Sequence, residues 1–171
     1  MKVSKVTIGR NSASVDYTDN YGNSIKHKGE YLPHPDFVAA AGALREHLCR
    51  LTEQAFVKPI DADKEYTEPT IEELCESISV TGVQIKSGDA GERVIISGNR
   101  TLTSGRTLKL ASPSLNLDND DYAQSDELSA AIDGVFSEAE EYVGGKHGGF
   151  EQKSIDFDAE EGADPFDNDE E

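Results

Sequence analysis

The sequence predicts an α+β body, an antiparallel sheet or a partly closed barrel with helices packed on it, followed by a disordered acidic C-terminal tail. Three observations carry this reading. Residues 1–33 and 79–116 alternate apolar and polar side chains with the period of two that a half-buried strand needs. Between and after them, apolar residues recur at three or four positions, the spacing of a helix that covers a core. Charge is also divided unevenly: residues 1–116 hold 14 basic and 15 acidic side chains, whereas residues 117–171 hold 2 basic and 19 acidic. Low hydrophobicity with dense charge of one sign leaves a segment unable to bury a face. The expected organisation is a body over residues 1–143, a glycine-rich linker over 144–149 and a disordered acidic tail over 150–171.

The elements follow in order. Val3 to Ile8 reads as a strand with Val6 and Ile8 on one face, and Asn11 and Ser12 break it. Ala13, Val15 and Tyr17 alternate with Ser14, Asp16 and Thr18 in a second strand. Residues 19–23 have turn chemistry, with Gly22 free to take positive φ. The third strand runs from Ser24 to Leu32, with Ile25, His27 and Tyr31 on one face and Lys26, Lys28 and Glu30 on the other. Pro35 suits a first helical position, and Asp36 complements the dipole of the helix it opens. Phe37, Ala41, Leu44, Leu48, Leu51 and Ala55 form one stripe on a helix of about five turns.

Residues 57–69 are a polar linker with two prolines. Thr70 and Glu73 form a capping box for a short helix whose apolar face is Ile71, Leu74 and Ile78. Strands return over Val80–Ser87, Glu92–Ser97, Arg100–Thr103 and Thr107–Leu110, with turns at residues 87–91 and at Ser104 and Gly105. Ser125 is the expected N-cap of a last helix carrying Leu128, Ile132, Val135, Ala139 and Tyr142, which Gly144 and Gly145 end. Short hairpin and helix connections favour an antiparallel sheet with helices on one face. A helix after the third strand also suits a partly closed barrel of the OB type.

Several function classes are excluded by what the chain lacks. The longest apolar run, residues 37–44, stops at Arg45 and is too short to span a bilayer. The N-terminus alternates instead of forming the apolar stretch of a secretory signal, so an intracellular, cytoplasmic protein is expected. Cys49 and Cys75 then read as reduced, partly buried thiols, with a disulfide open to them only if their helices pack side by side. His47 and Cys49 point to opposite sides of a helix and cannot share a zinc ion. Asp118, Asp120 and Asp121 begin like a calcium loop, but Tyr122 and Ala123 stand where a ligand and a glycine are needed. Gly144–Gly149 follows a helix and lacks the Lys-Ser/Thr pair of a phosphate loop. No nucleophile or zinc-protease motif occurs, so neither an enzyme, a metal nor a cofactor is expected.

The tail carries more than charge. Ile155, Phe157 and Phe166 punctuate its acids, and Asp164, Pro165 and Phe166 lie near its end. A solvating segment has no use for exposed phenylalanines, whereas an aromatic among carboxylates can enter a partner's pocket ringed by Lys and Arg. The glycine-rich linker and acidic tip with Asp-Pro-Phe resemble the C-terminal ends of bacterial and phage single-stranded-DNA-binding proteins. The resemblance covers about residues 144–171, and it departs where residues 167–171 follow Phe166, because the family's tip ends at Pro-Phe with a free carboxylate. It implies a tip at Phe157, Asp164, Pro165 and Phe166 that recruits replication or recombination proteins and competes with DNA.

The body would then supply the nucleic-acid surface. Residues 1–33 hold five basic and three acidic side chains, and residues 79–116 hold five basic and two acidic. The expected contacts are Lys26, Lys28, Lys86, Arg93, Arg100, Arg106 and Lys109, with Tyr17, Tyr21 and Tyr31 as stacking platforms for bases. The leading expectation is a phage- or mobile-element-type single-stranded-DNA-binding protein, as a monomer or a homo-oligomer. The alternatives are an acidic DNA mimic that inhibits another protein by occupying its basic groove, or a phage assembly component without chemistry.

Overall fold

A computed structural model describes residues 1–55, 70–88, 91–117 and 122–149. The expected linker over 57–69, the acidic run at residues 118–121 and the tail over 150–171 lie outside the described residues. The chain opens with β1 (Lys2–Ile8), β2 (Ala13–Thr18) and β3 (Ser24–Lys28). Helices α1 (Pro35–Ala43), α2 (Arg45–Leu51) and α3 (Ile71–Glu76) follow. Strands β4 (Ile78–Gly88), β5 (Gly91–Thr101), β6 (Thr107–Ala111) and β7 (Leu115–Asn116) precede α4 (Ser125–Val143).

The strands form one antiparallel sheet in the order β3-β2-β1-β4-β5-β6, with β7 also paired to β5. Its end strands β3 and β6 do not pair with each other, so the sheet is open and the closed-barrel alternative is not taken. β6 and β7 lie along the same side of β5, against residues 97–101 and 93–94 respectively. Between them Ser112 keeps contact with β5: its backbone N–H donates to the Ile96 carbonyl at 2.8 Å, and its hydroxyl accepts from the Ile96 N–H at 3.0 Å. Pro113 has no N–H to continue the ladder, and the margin breaks there.

One face of the sheet is apolar and covered by helices. Val6, Val15, Val83, Val94 and Ile96 are buried on it with Phe37, Leu44, Leu48, Leu128, Ile132 and Val135 from the helices. Two bulges keep this face continuous. The register passes from Val3↔Tyr17 to Lys5↔Asp16, leaving Ser4 as an extra residue. It passes from Val80↔Gly98 to Gly82↔Ser97, leaving Thr81 extra. Each added residue restores the phase of the strand, so Val3 joins Val6, and Ile78 and Val80 join Val83.

Four local expectations are corrected. The long first helix is two helices that meet at Leu44, whose N–H turns tightly to the Ala41 carbonyl at 3.2 Å. Its predicted stripe stays buried through Leu48, but Ala55 lies beyond α2 and is exposed. Ile78 belongs to β4 and not to α3, although the Thr70–Glu73 capping box forms. The segments read as separate strands around Gly98 are one strand, β5. Ser125 is the first residue of α4, preceded by Gln124, and no side chain caps that end.

The third strand is also shorter than expected. It ends at Lys28, with the Gly29 N–H still donating to the Ala13 carbonyl at 2.9 Å, and Tyr142 of α4 occupies the space beside Gly29, where any Cβ would run into the phenol ring. Past α4, Lys146 bridges Asp36 at 3.0 Å, Glu138 at 2.9 Å and Glu141 at 3.3 Å. Hydrogen bonds to these carboxylates push its ammonium above the usual lysine range and hold Asp36 below the usual carboxylate range. His147 pairs with Pro33, and the Gly148 N–H donates to the Leu32 carbonyl at 2.8 Å. The described glycine-rich residues are thus laid against the entry to α1.

Candidate nucleic-acid interface

Cross-strand partners in an antiparallel sheet share a face, so the register decides which polar residues lie opposite the helices. From β3 across to β1, Lys28 is level with Ser14 and Thr7, and Lys26 with Asp16 and Lys5. From β1 across to β5, Lys5 is level with Gln84 and Ile95, and Thr7 with Gly82 and Ser97. Further out, Lys86 pairs with Arg93, and Asn99 with Lys109. Lys5, Lys26, Lys28, Lys86, Arg93 and Lys109 therefore share the face that no described helix covers. All but the half-buried Lys5 are exposed, and none forms an ion pair among the described residues.

One carboxylate lies on this surface, and a second stands at the hairpin end of the sheet. Asp16 lies between Lys26 and Lys5 in register. Glu92, in the β4–β5 hairpin, accepts from the Lys2 ammonium at 2.7 Å, which lowers its pKa and commits Lys2 locally. At the centre Gly82 leaves a depression of about 250 Å³ beside Lys5, Thr7, Gln84 and Ser97. A Cβ at this position would come within 2.8 Å of the Val6 carbonyl, so the two backbones meet where a side chain would stand. Six strands about 4.8 Å apart make the face roughly 24 Å wide.

The other expected contacts lie elsewhere. Arg100 pairs with Ile78 and Leu108 on the helix side, where its guanidinium donates to Gln54 Oε1 and the Ala55 carbonyl, both at 3.0 Å. Tyr17 is level with Val3 and Ile25 on that same side and packs at the edge of the core. Tyr31 stacks on His147 with ring centroids 4.7 Å apart. Tyr21 stands out from the β2–β3 turn and is 91% exposed. Arg106 sits exposed in the β5–β6 turn, at the margin of the lysine face. Phe157, Asp164, Pro165 and Phe166 lie outside the described residues. Lys5 was missed as a contact, although its alternation with Val6 was enough to place it opposite the core.

The opposite pole is acidic. Asp126, Glu127, Asp133, Glu140 and Glu141 are exposed on α4, which packs against α1 and β1 on the covered side of the sheet. Among the described residues no cluster of His, Cys, Asp and Glu could hold a metal ion, and no helix is long and apolar enough to cross a membrane. No protein-family model matches the chain, and neither does any curated protein or solved structure.

Proposed function

We propose that the uncovered sheet face binds single-stranded nucleic acid through its phosphates and that the acidic tail recruits other proteins. The observation that carries this is the gathering on one open face of six cations that form no ion pair among the described residues, while the exposed carboxylates of α4 lie behind the sheet. Cations spread over such a surface displace counterions from a phosphate chain, which makes binding strong at low salt and steeply salt-dependent. Among the described residues the face carries no aromatic side chain, so they give it no platform on which bases would stack. Binding is accordingly tolerant of sequence.

The test is a salt titration of a labelled oligothymidylate against the full-length protein, with a duplex of equal length in parallel. Replacing Lys26, Lys28 and Lys109 by Ala should lower the log–log salt slope by about 2 for the single strand. An unchanged slope, or no binding at low salt, would sink the proposal. One observation favours a second reading. The acidic residues of α4 are held on a described helix, as a DNA mimic requires. That reading predicts no nucleic-acid binding at any salt concentration and capture of a basic protein that Asp133→Lys and Glu140→Lys abolish.

A further inference from the structure

β1 pairs with β4 only as far as Thr7↔Gly82, whereas β4 stays paired with β5 back to Ile78↔Arg100. β1 ends at Ile8, and the chain turns away through Gly9, whose N–H donates to the Ser12 carbonyl at 2.8 Å. The first residues of β4, from Ile78 to Thr81, therefore have no register partner on the β1 side. The gap is a cleft of about 530 Å³. Its lining comes from both sides of the sheet. Ser79 and Asn99 belong to the lysine face, while Val38, Ala41 and Gly42 belong to α1 on the covered face. The cleft thus lies in the plane of the sheet, where further residues of β1 would stand.

The backbone of β4 is turned towards this gap. The Ser77 carbonyl accepts from the Thr101 N–H at 2.8 Å, so Ser77 faces β5. Successive residues of a strand direct their N–H and C=O groups to opposite neighbours. Ile78 and Val80 accordingly direct theirs away from β5, and no backbone bond from Gly9 or Arg10 reaches them. Beside this edge Val38 is 47% exposed on α1. Arg10 stands exposed at the head of the cleft and forms no ion pair among the described residues, and no carboxylate lines the cleft. An open strand edge is matched by another extended backbone, an exposed valine by an apolar side chain, and a free guanidinium by a carboxylate.

We infer that the cleft binds an extended acidic segment of a partner protein, which adds to β4 as an antiparallel strand in line with β1. Two residues of the segment lie opposite Ile78 and Val80 and exchange main-chain hydrogen bonds with them. Cross-strand partners share a face, so these two residues turn their side chains towards Val38 and Ala41 and must be apolar. The residue between them lies opposite Ser79, turns to the lysine face and is polar. A carboxylate at the end of the segment meets Arg10. The docked stretch is short, about 13 Å for four residues. The inference does not depend on what the lysine face binds.

The probe is a capped peptide, acetyl-Asp-Val-Thr-Val-Asp-amide, titrated into the full-length protein and followed by amide spectra. Strand addition predicts shifts confined to residues 8–10, 38–42 and 78–81, with the Ile78 and Val80 amide protons moving downfield. No shift at about 1 mM peptide would overturn it. Shifts at residues 24–28 or 107–111 instead would place the peptide on an outer border and refute the cleft. Shifts at 78–81 that follow protein concentration without peptide would give the cleft to a second copy and equally refute a partner segment. Methylating the two valine nitrogens of the peptide removes the donors aimed at β4 and should weaken binding at least about tenfold. Methylating the threonine nitrogen, which is aimed at solvent, should change it by less than about threefold. Equal effects would show that side chains and charge alone hold the peptide. Val38→Asp, at an exposed α1 position, should abolish binding, and Arg10→Ala should weaken it about threefold or more. The methylated peptides need no protein variant and decide the matter if either variant fails to fold.

Discussion

The hydroxyl of Tyr142, in the last turn of α4, donates to the backbone carbonyl of Tyr31 at 2.7 Å. The same oxygen lies 3.4 Å from the Ala13 N–H and can accept from it. One phenol therefore joins the last helix to the first β-meander and to the segment that enters α1. Tyr142 is buried, so Tyr142→Phe strands these groups, and urea unfolding should show a loss of about 1–3 kcal/mol. Gly29→Ala should cost at least as much, because its methyl would collide with the same ring.

Leu48 closes over Gly98 in a comparable way. A Cβ on Gly98 would overlap the Leu48 side chain and stand 2.5 Å from the Ser79 carbonyl. Leu48 is fully buried, and Leu48→Ala should lower unfolding free energy by about 2–5 kcal/mol. Gly98→Ala should destabilise through overpacking, with a drop in the thermal midpoint as the readout.

His47 makes stability depend on pH. Its Nδ1 lies 2.8 Å from the Tyr122 hydroxyl, and burial lowers its pKa below the ordinary histidine value, against the opposing pull of Glu46. The folded protein thus binds a proton at this site less readily than the unfolded chain, whose histidine titrates near about 6.5. The contribution of His47 is complete above that pH and is lost as pH falls through it towards the folded pKa. Urea midpoints measured at falling pH should decline over this window, and His47→Gln should flatten the decline.

The thiols should be slow nucleophiles. Cys49 and Cys75 are free and packed between α2 and α3, and burial raises both pKa values, that of Cys75 to about 11. At neutral pH the thiolate fraction of Cys75 falls on the order of a hundredfold below that of an ordinary cysteine. Iodoacetamide should therefore label the native protein far more slowly than the urea-unfolded chain. Equal rates would show that α3 opens readily.

Removal of residues 150–171 should strengthen binding to single-stranded DNA and steepen its salt dependence, because the ten acidic side chains of that segment no longer compete with phosphate. Anisotropy titrations of intact and shortened chains check this. Weaker binding by the shortened chain would contradict it.

The parts of the fold that were legible in the sequence are those where one period runs without interruption. Ala13, Val15 and Tyr17 alternate through β2, and Leu128, Ile132, Val135 and Ala139 step along α4, as their burial requires. Phase changes escaped. Val3 faces the helices only because Ser4 is an extra residue, and Gly98 reads as a break between two strands although it sits in mid-strand beneath Leu48. In the candidate site, parity already set Lys26 and Lys28 apart from Ile25 and His27. The same parity joins Arg100 to Val94 and Ile96, and Tyr17 to Val15, so neither belonged with the lysines.

The broken margin between β6 and β7 and the short β3 at the other border have a shared consequence for a sheet that does not close. An unpaired strand offers its backbone as a template on which other chains can grow into fibrils. Here Pro113 interrupts one template after five residues, and Lys26 and Lys28 place like charges along the other, which is itself only five residues long. The open sheet can therefore present a wide polar surface while neither border seeds aggregation of the chain.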